Sequence, residues 1–129
     1  MQISMYGLAQ TSTTRGLRAL DAILDKAAAY AEARKIDPSV LINARLAPDM
    51  FPLARQVQIA CDFGKGPMAR LSGTENPSFQ DTEASFPELK ARIAKTLEFI
   101  ATVPESAFEG CEDRDLCRSF FRPSRLAGR

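Results

Sequence analysis

From Met5 to Ala31 the chain repeats apolar or small residues at steps of three and four. The series runs Met5, Leu8, Ala9, Ser12, Gly16, Leu20, Ile23, Leu24, Ala27, Ala28 and Ala31. Only a helix satisfies such a period, here one of about 30 residues with a broad apolar stripe. Arg15, Arg18, Asp21, Asp25, Lys26 and Glu32 fall on the opposite face and are expected to meet water. Ser12 and Gly16 interrupt the stripe, which predicts a bend or a close helix approach there. A helix this long in a chain of 129 residues leaves room for one domain, built by packing helix on helix.

The rest of the chain continues in the same style. Asp37-Pro38 is a helix-start signal, with Asp37 as the N-cap and Pro38 in the first turn, where its missing N–H costs nothing. The apolar run Val40-Leu41-Ile42 makes this helix short, and Asn43 to Ala47 turn the chain. Pro48 and Asp49 predict the start of a second long helix, with Pro52 delaying its regular part toward Phe51. Its stripe is Met50, Leu53, Ala54, Val57, Ala60, Cys61, Gly64, Met68 and Leu71, and Pro67 predicts a kink or break near residue 63. Ser72 to Gln80 read as a loop. Ser85-Phe86-Pro87-Glu88 has the spacing of a capping box. Phe86, Leu89, Ile93, Leu97 and Ile100 then stripe a third long helix, on which Glu88 and Arg92 are spaced for an i,i+4 ion pair. Val103-Pro104 ends it. No strand-like alternation and no internal repeat occurs.

The composition changes at the C-terminal end. Arg114 to Arg129 holds five of the chain's 17 basic residues and one of its 16 acidic ones, Asp115. From Cys111 on there is no apolar period of either kind. The expected division is therefore a helical bundle over residues 1–110 and an irregular arginine-rich tail over 111–129, of a composition that suggests a shifted reading frame. The net charge of the whole chain is only +1, so no overall field draws it to nucleic acid or to anionic membrane. No run approaches the ~18 apolar residues that a membrane span requires. Met1 to Leu8 lacks the pattern of a signal peptide, and the odd count of three cysteines suits a reducing cytoplasm.

Candidate chemistry is sparse. The chain contains no histidine, so the usual general base and the commonest metal ligand are both missing. Gly64-Lys65-Gly66 lacks the upstream glycine and the following Ser or Thr of a phosphate-binding loop, and reads as a helix irregularity. Asp21 and Asp25 share a helix face and could hold a divalent cation, although two carboxylates one turn apart usually make a solvated face. Cys111 and Cys117 would need further ligands to bind zinc, and Cys61 on a buried stripe reads as a small core residue. The tail arginines with Phe120 and Phe121 could give non-specific, salt-sensitive nucleic-acid binding. No catalytic, cofactor-binding or metal residue is assigned, no cofactor is implied, and any small-molecule substrate stays unknown.

Several stretches carry a family resemblance: Ile3-Ser4-Met5-Tyr6, Ala22 to Ala27, Ala33 to Pro38, Arg55 to Gln58, Phe86 to Leu89 and, most specifically, Leu46-Ala47-Pro48-Asp49-Met50-Phe51-Pro52-Leu53. Over about residues 1 to 113 the chain resembles the bacterial family called domain of unknown function 1993, in the DinB-like helical-bundle superfamily. The resemblance implies an all-α, up-down helical bundle, usually of four long helices and often a homodimer. Related DinB-like proteins carry a metal-binding histidine triad, and some transfer thiols, but this chain has no histidine to match it. The expectation is thus three long helices plus a short one, with the fourth bundle helix missing. Such a chain would be a truncated or frame-altered member without catalytic activity. The alternatives are a metal-dependent thiol transferase and a nucleic-acid binder acting through its tail. An uncovered bundle side would expose apolar surface and drive homodimerisation or aggregation.

Overall fold

The structure is a computed structural model, and it describes residues 2–114. Four helices follow one another: α1 (Met5–Arg34), α2 (Pro38–Ile42), α3 (Leu53–Ser72) and α4 (Phe86–Thr102). Two short 3₁₀ turns, Glu105–Phe108 and Cys111–Asp113, come after them. The fold is all-α, and the described residues contain no strand. The three long helices pack pairwise into a triangular bundle, with α2 laid across one end against α1 and α3. No helix among the described residues is long and apolar enough to cross a membrane.

Local chemistry sets most helix ends. The Asp37 side chain accepts from the Ser39 N–H at 2.9 Å and caps α2. At α4 the capping box is complete, because the Ser85 hydroxyl accepts from the Glu88 N–H while the Glu88 carboxylate accepts from the Ser85 N–H. Gly73 ends α3 with a φ of 70°, a left-handed turn that a side chain would strain. Lys35 takes the same conformation after α1, with its N–H returned to the carbonyls of Ala31 and Glu32.

Three expectations need correcting. α3 starts at Leu53, later than either Pro48 or Phe51. Prolines at 48 and 52 bias the residues before them toward extended backbone, and the Leu53 N–H is taken by the Ala44 carbonyl at 3.0 Å. The second correction is Pro67, which breaks nothing: α3 runs unbroken to Ser72. The carbonyl that Pro67 deprives of a partner belongs to Phe63, on the exposed side, where water can take its place. The buried side runs straight past through Cys61, Gly64, Met68 and Ala69. Third, Glu88 and Arg92 do not form the expected pair, since the Glu88 carboxylate serves the cap and Arg92 turns inward.

The core joins Leu17 and Leu24 of α1, Val57, Cys61 and Met68 of α3, and Leu89, Ile93 and Ile100 of α4. Phe108 and Cys111 close one end, with the Tyr6 ring edge-on to Phe108 at 5.2 Å. Arg114 donates to the Leu71 and Ala107 carbonyls, tying the chain to the end of α3. Residues 115–129, with most of the expected tail and Cys117, lie outside the described residues.

Candidate functional site

Two features stand out on the bundle. The first is polar and grows around one buried guanidinium. Arg92 lies on the inward arc of α4 with Leu89, Ile93 and Thr96, and only 3% of it is exposed. Its Nη1 donates to the Gln80 carbonyl at 3.1 Å and to Glu83 at 3.0 Å, and pairs with Asp81 at 3.0 Å. Its Nη2 donates to Asp62 at 3.3 Å. Burial works against this charge, yet Glu83, Asp81 and Asp62 together hold the guanidinium more firmly protonated than usual. Its Nε has no hydrogen-bond partner.

This knot fastens the loop between α3 and α4. Lys65, buried on α3, donates to the Pro77 carbonyl at 2.6 Å and to Asn76 at 3.3 Å. Gln58 donates to Glu83 at 3.0 Å, and Arg55 bonds Asp81 at 2.5 Å. The Phe79 ring sits among three cations, 5.0 Å from Lys65 Nζ, 5.7 Å from Arg92 Cζ and 4.6 Å from Lys95 Nζ. Two open hollows of about 440 and 470 Å³ flank the ring. Every carboxylate facing Arg92 is already engaged by it, so the cluster works as a structural clasp on the loop.

The second feature is apolar. Gly64 of α3 approaches α1 so closely that a Cβ there would lie 2.9 Å from Leu17 Cδ1. Beside this contact, Ser12, Gly16, Ala60, Phe63 and Gly64 line an apolar groove of about 380 Å³ between α1 and α3. Phe63 is 61% exposed along it, and a Cβ on Gly16 would meet nothing within 4 Å. At the α2 end, Ala27 of α1, Leu41 of α2, Leu46, Met50 and Phe51 of the segment that follows it, and Leu53 of α3 line a second apolar hollow of about 450 Å³. Ile23, 55% exposed, lies on α1 between the two.

The sequence candidates fall as follows. Gly64-Lys65-Gly66 lies within α3, where the backbone is committed to the helix and Lys65 reaches for the loop. Asp21 and Asp25 both pair with Lys90 of α4, Asp21 at 3.5 Å, so an ammonium stands where a cation was considered. Cys61 and Cys111 are free and buried. Burial pushes the Cys61 thiol up, only partly offset by Thr96 and Arg92 beside it. Phe120, Phe121 and the tail arginines beyond Arg114 lie outside the described residues. Sequence reasoning missed Arg92, Glu83 and Phe79. Arg92 carried the signal, because it falls three after Leu89 and four before Thr96, inside the apolar arc of α4.

Comparison with known proteins agrees with the helical architecture. A DinB family member protein from Shewanella denitrificans has a similar solved structure, with a TM-score of 0.79 at 43% sequence identity. The likeness covers 83% of this chain and 61% of that one, so the chain spans less than two thirds of that protein's length. No curated protein matches the sequence. A family model described as Domain of unknown function (DUF1993) matches residues 5–126, reaching past residue 113, where the resemblance quoted from the sequence stops. A match over nearly all of the chain, together with a DinB-type fold, places it: the chain belongs to the DUF1993 family.

Proposed function

We propose that this chain acts as a non-catalytic helical-bundle module that pairs with a second copy of itself through the open face of α1 and α3. The observation that carries this reading is a pair of apolar hollows, one between α1 and α3 and one where α2 and the segment after it meet them, with Phe63, Ile23 and Phe51 exposed beside them. Exposed apolar side chains gathered around such hollows favour a contact site over a solvated wall. The polar cluster offers less to a substrate, because Arg92 and Lys65 spend their donors on the loop and its carboxylates. The free, buried thiols of Cys61 and Cys111 suit a reducing cytoplasm.

Light scattering on the purified chain tests the reading. A discrete species of twice the chain mass of 14.2 kDa is expected. A stable monomer at all concentrations, or polydisperse aggregates, would overturn it.

A further inference from the structure

The hollow at the α2 end is walled entirely by one chain. Its volume of about 450 Å³ falls within the roughly 300–1,000 Å³ of small-molecule pockets. Part of its wall is made of large apolar side chains held out toward water: Leu46 is 92% exposed, and Met50 and Phe51 are exposed beside it. Left free, such side chains would close on one another and shed that water.

The backbone prevents this collapse. Pro48 and Pro52 fix their own φ angles. The Met50 N–H donates to the Ala47 carbonyl at 3.0 Å, and the Leu53 N–H to the Ala44 carbonyl at the same distance. The Gln56 amide donates to the Phe51 carbonyl at 3.4 Å, and the Arg55 guanidinium stands 6.0 Å from the Phe51 ring. The segment 43–52 is thus braced around an open space, and little ordering is left for a ligand to impose.

Charge states which ligand fits. Among the described residues that line the hollow, Arg45 alone is charged. Its guanidinium has no ion pair among the described residues, and Asp49, the nearest acid in sequence, does not line the hollow. A guanidinium offers a planar fork of N–H donors that matches the two oxygens of a carboxylate. We propose that this hollow binds a soluble carboxylate with an apolar chain of medium length. The chain lies among Leu46, Met50 and Phe51, and the carboxylate is held by Arg45. Pairing along α1 and α3 is read from mass and this site from Met50, so the two readings fail separately.

The test follows the methionine methyl groups of the labelled chain by NMR, during titration with octanoate up to about 5 mM. Met50 reports on the hollow, while Met68 in the core and Met5 at the start of α1 serve as controls. A saturable shift of the Met50 methyl alone is expected. From hexanoate to octanoate, each added methylene should tighten binding about two- to fourfold. Octanol should bind about three- to fivefold more weakly than octanoate, and octylamine more weakly again. Arg45→Gln is expected to erase the preference for octanoate while leaving octanol binding unchanged, a result that loss of the fold could not give. Ala44→Phe, which fills the hollow from an exposed position, should abolish binding of all three. The proposal is overturned by no saturable shift at Met50, by equal movement of Met5 and Met68, or by octylamine binding as tightly as octanoate. A Met50 shift that follows chain concentration alone would also overturn it, giving the hollow to a second copy.

Discussion

Arg92 carries a full charge with only 3% of the residue left exposed. The charge is sustained by three carboxylates of differing exposure: the Glu83 side chain is 12% exposed, while those of Asp62 and Asp81 keep 46% and 41%. Removing the guanidinium strands Glu83 most severely, since its other partner is the neutral amide of Gln58. Arg92→Met is therefore expected to cost about 2–3 kcal/mol, below the ~3–5 kcal/mol of a fully buried pair because two of the acids stay wet. Arg92→Lys recovers only part of it, since one ammonium cannot span Asp62, Glu83 and the Gln80 carbonyl together. Urea unfolding midpoints check both, and adding Glu83→Gln to Arg92→Met should restore some stability by removing the stranded charge. At this scale the sequence was only partly legible. Cys61 read correctly as a core thiol, because an apolar stripe identifies its members by spacing alone. Leu17 was passed over, although it lies at the centre of the buried face with Leu24 and Ala31. The apolar arc of α1 is wider than one contact needs, and spacing does not say which half is covered. Arg92 failed for a related reason: its partners Asp81 and Glu83 come from a loop whose path no periodicity describes.

Helix ends were the most readable elements, because a cap is local chemistry among neighbours in sequence. The box at the head of α4 shows how far this goes. The Glu88 carboxylate accepts from the N–H groups of Ala84 and Ser85, and these bonds hold its pKa below the usual glutamate range, the Ala84 bond contributing most. A depressed folded-state pKa means the contribution is fully present above the ordinary glutamate range and is lost as pH falls through the lowered value. The thermal midpoint of the intact chain should therefore decline as pH drops from about 5 to 3. Glu88→Gln removes the titrating group while keeping an acceptor for the box, so its decline over the same window should be shallower. An equally steep fall in the variant would mean the cap contributes nothing to acid sensitivity. Long-range effects were the unreadable part of the elements. The unbroken course of α3 through Pro67 depends on which side of the helix Phe63 faces, and that is decided by α1 and α4 rather than by residues 60 to 70.

Across the whole molecule, the three long helices share one core, with Cys61 near its middle and Cys111 at one end. A thiol reagent can reach either only when the bundle opens, and burial additionally keeps Cys61 in its unreactive protonated form. Labelling of Cys61 and Cys111, followed site by site by mass spectrometry, is expected to keep pace with global unfolding. Modification of Cys61 within the mixing time in native buffer would show that the core breathes locally. The helical class and the count of long helices were plain in the sequence, since the period of each segment survives any packing partner. The clasp around Phe79 and the close approach of Gly64 to Leu17 were not, because they join residues far apart in the chain. The triangular arrangement also has a consequence for the way the protein is made. α4 packs on α1 and α3 alike, yet it leaves the ribosome after both. At roughly 5–20 residues per second, the stretch from Ser72 to Thr102 takes about 2–6 seconds to synthesise. For that interval the nascent α1 and α3 hold a half-built core with no third wall, and this is the moment at which a holding chaperone would find the chain.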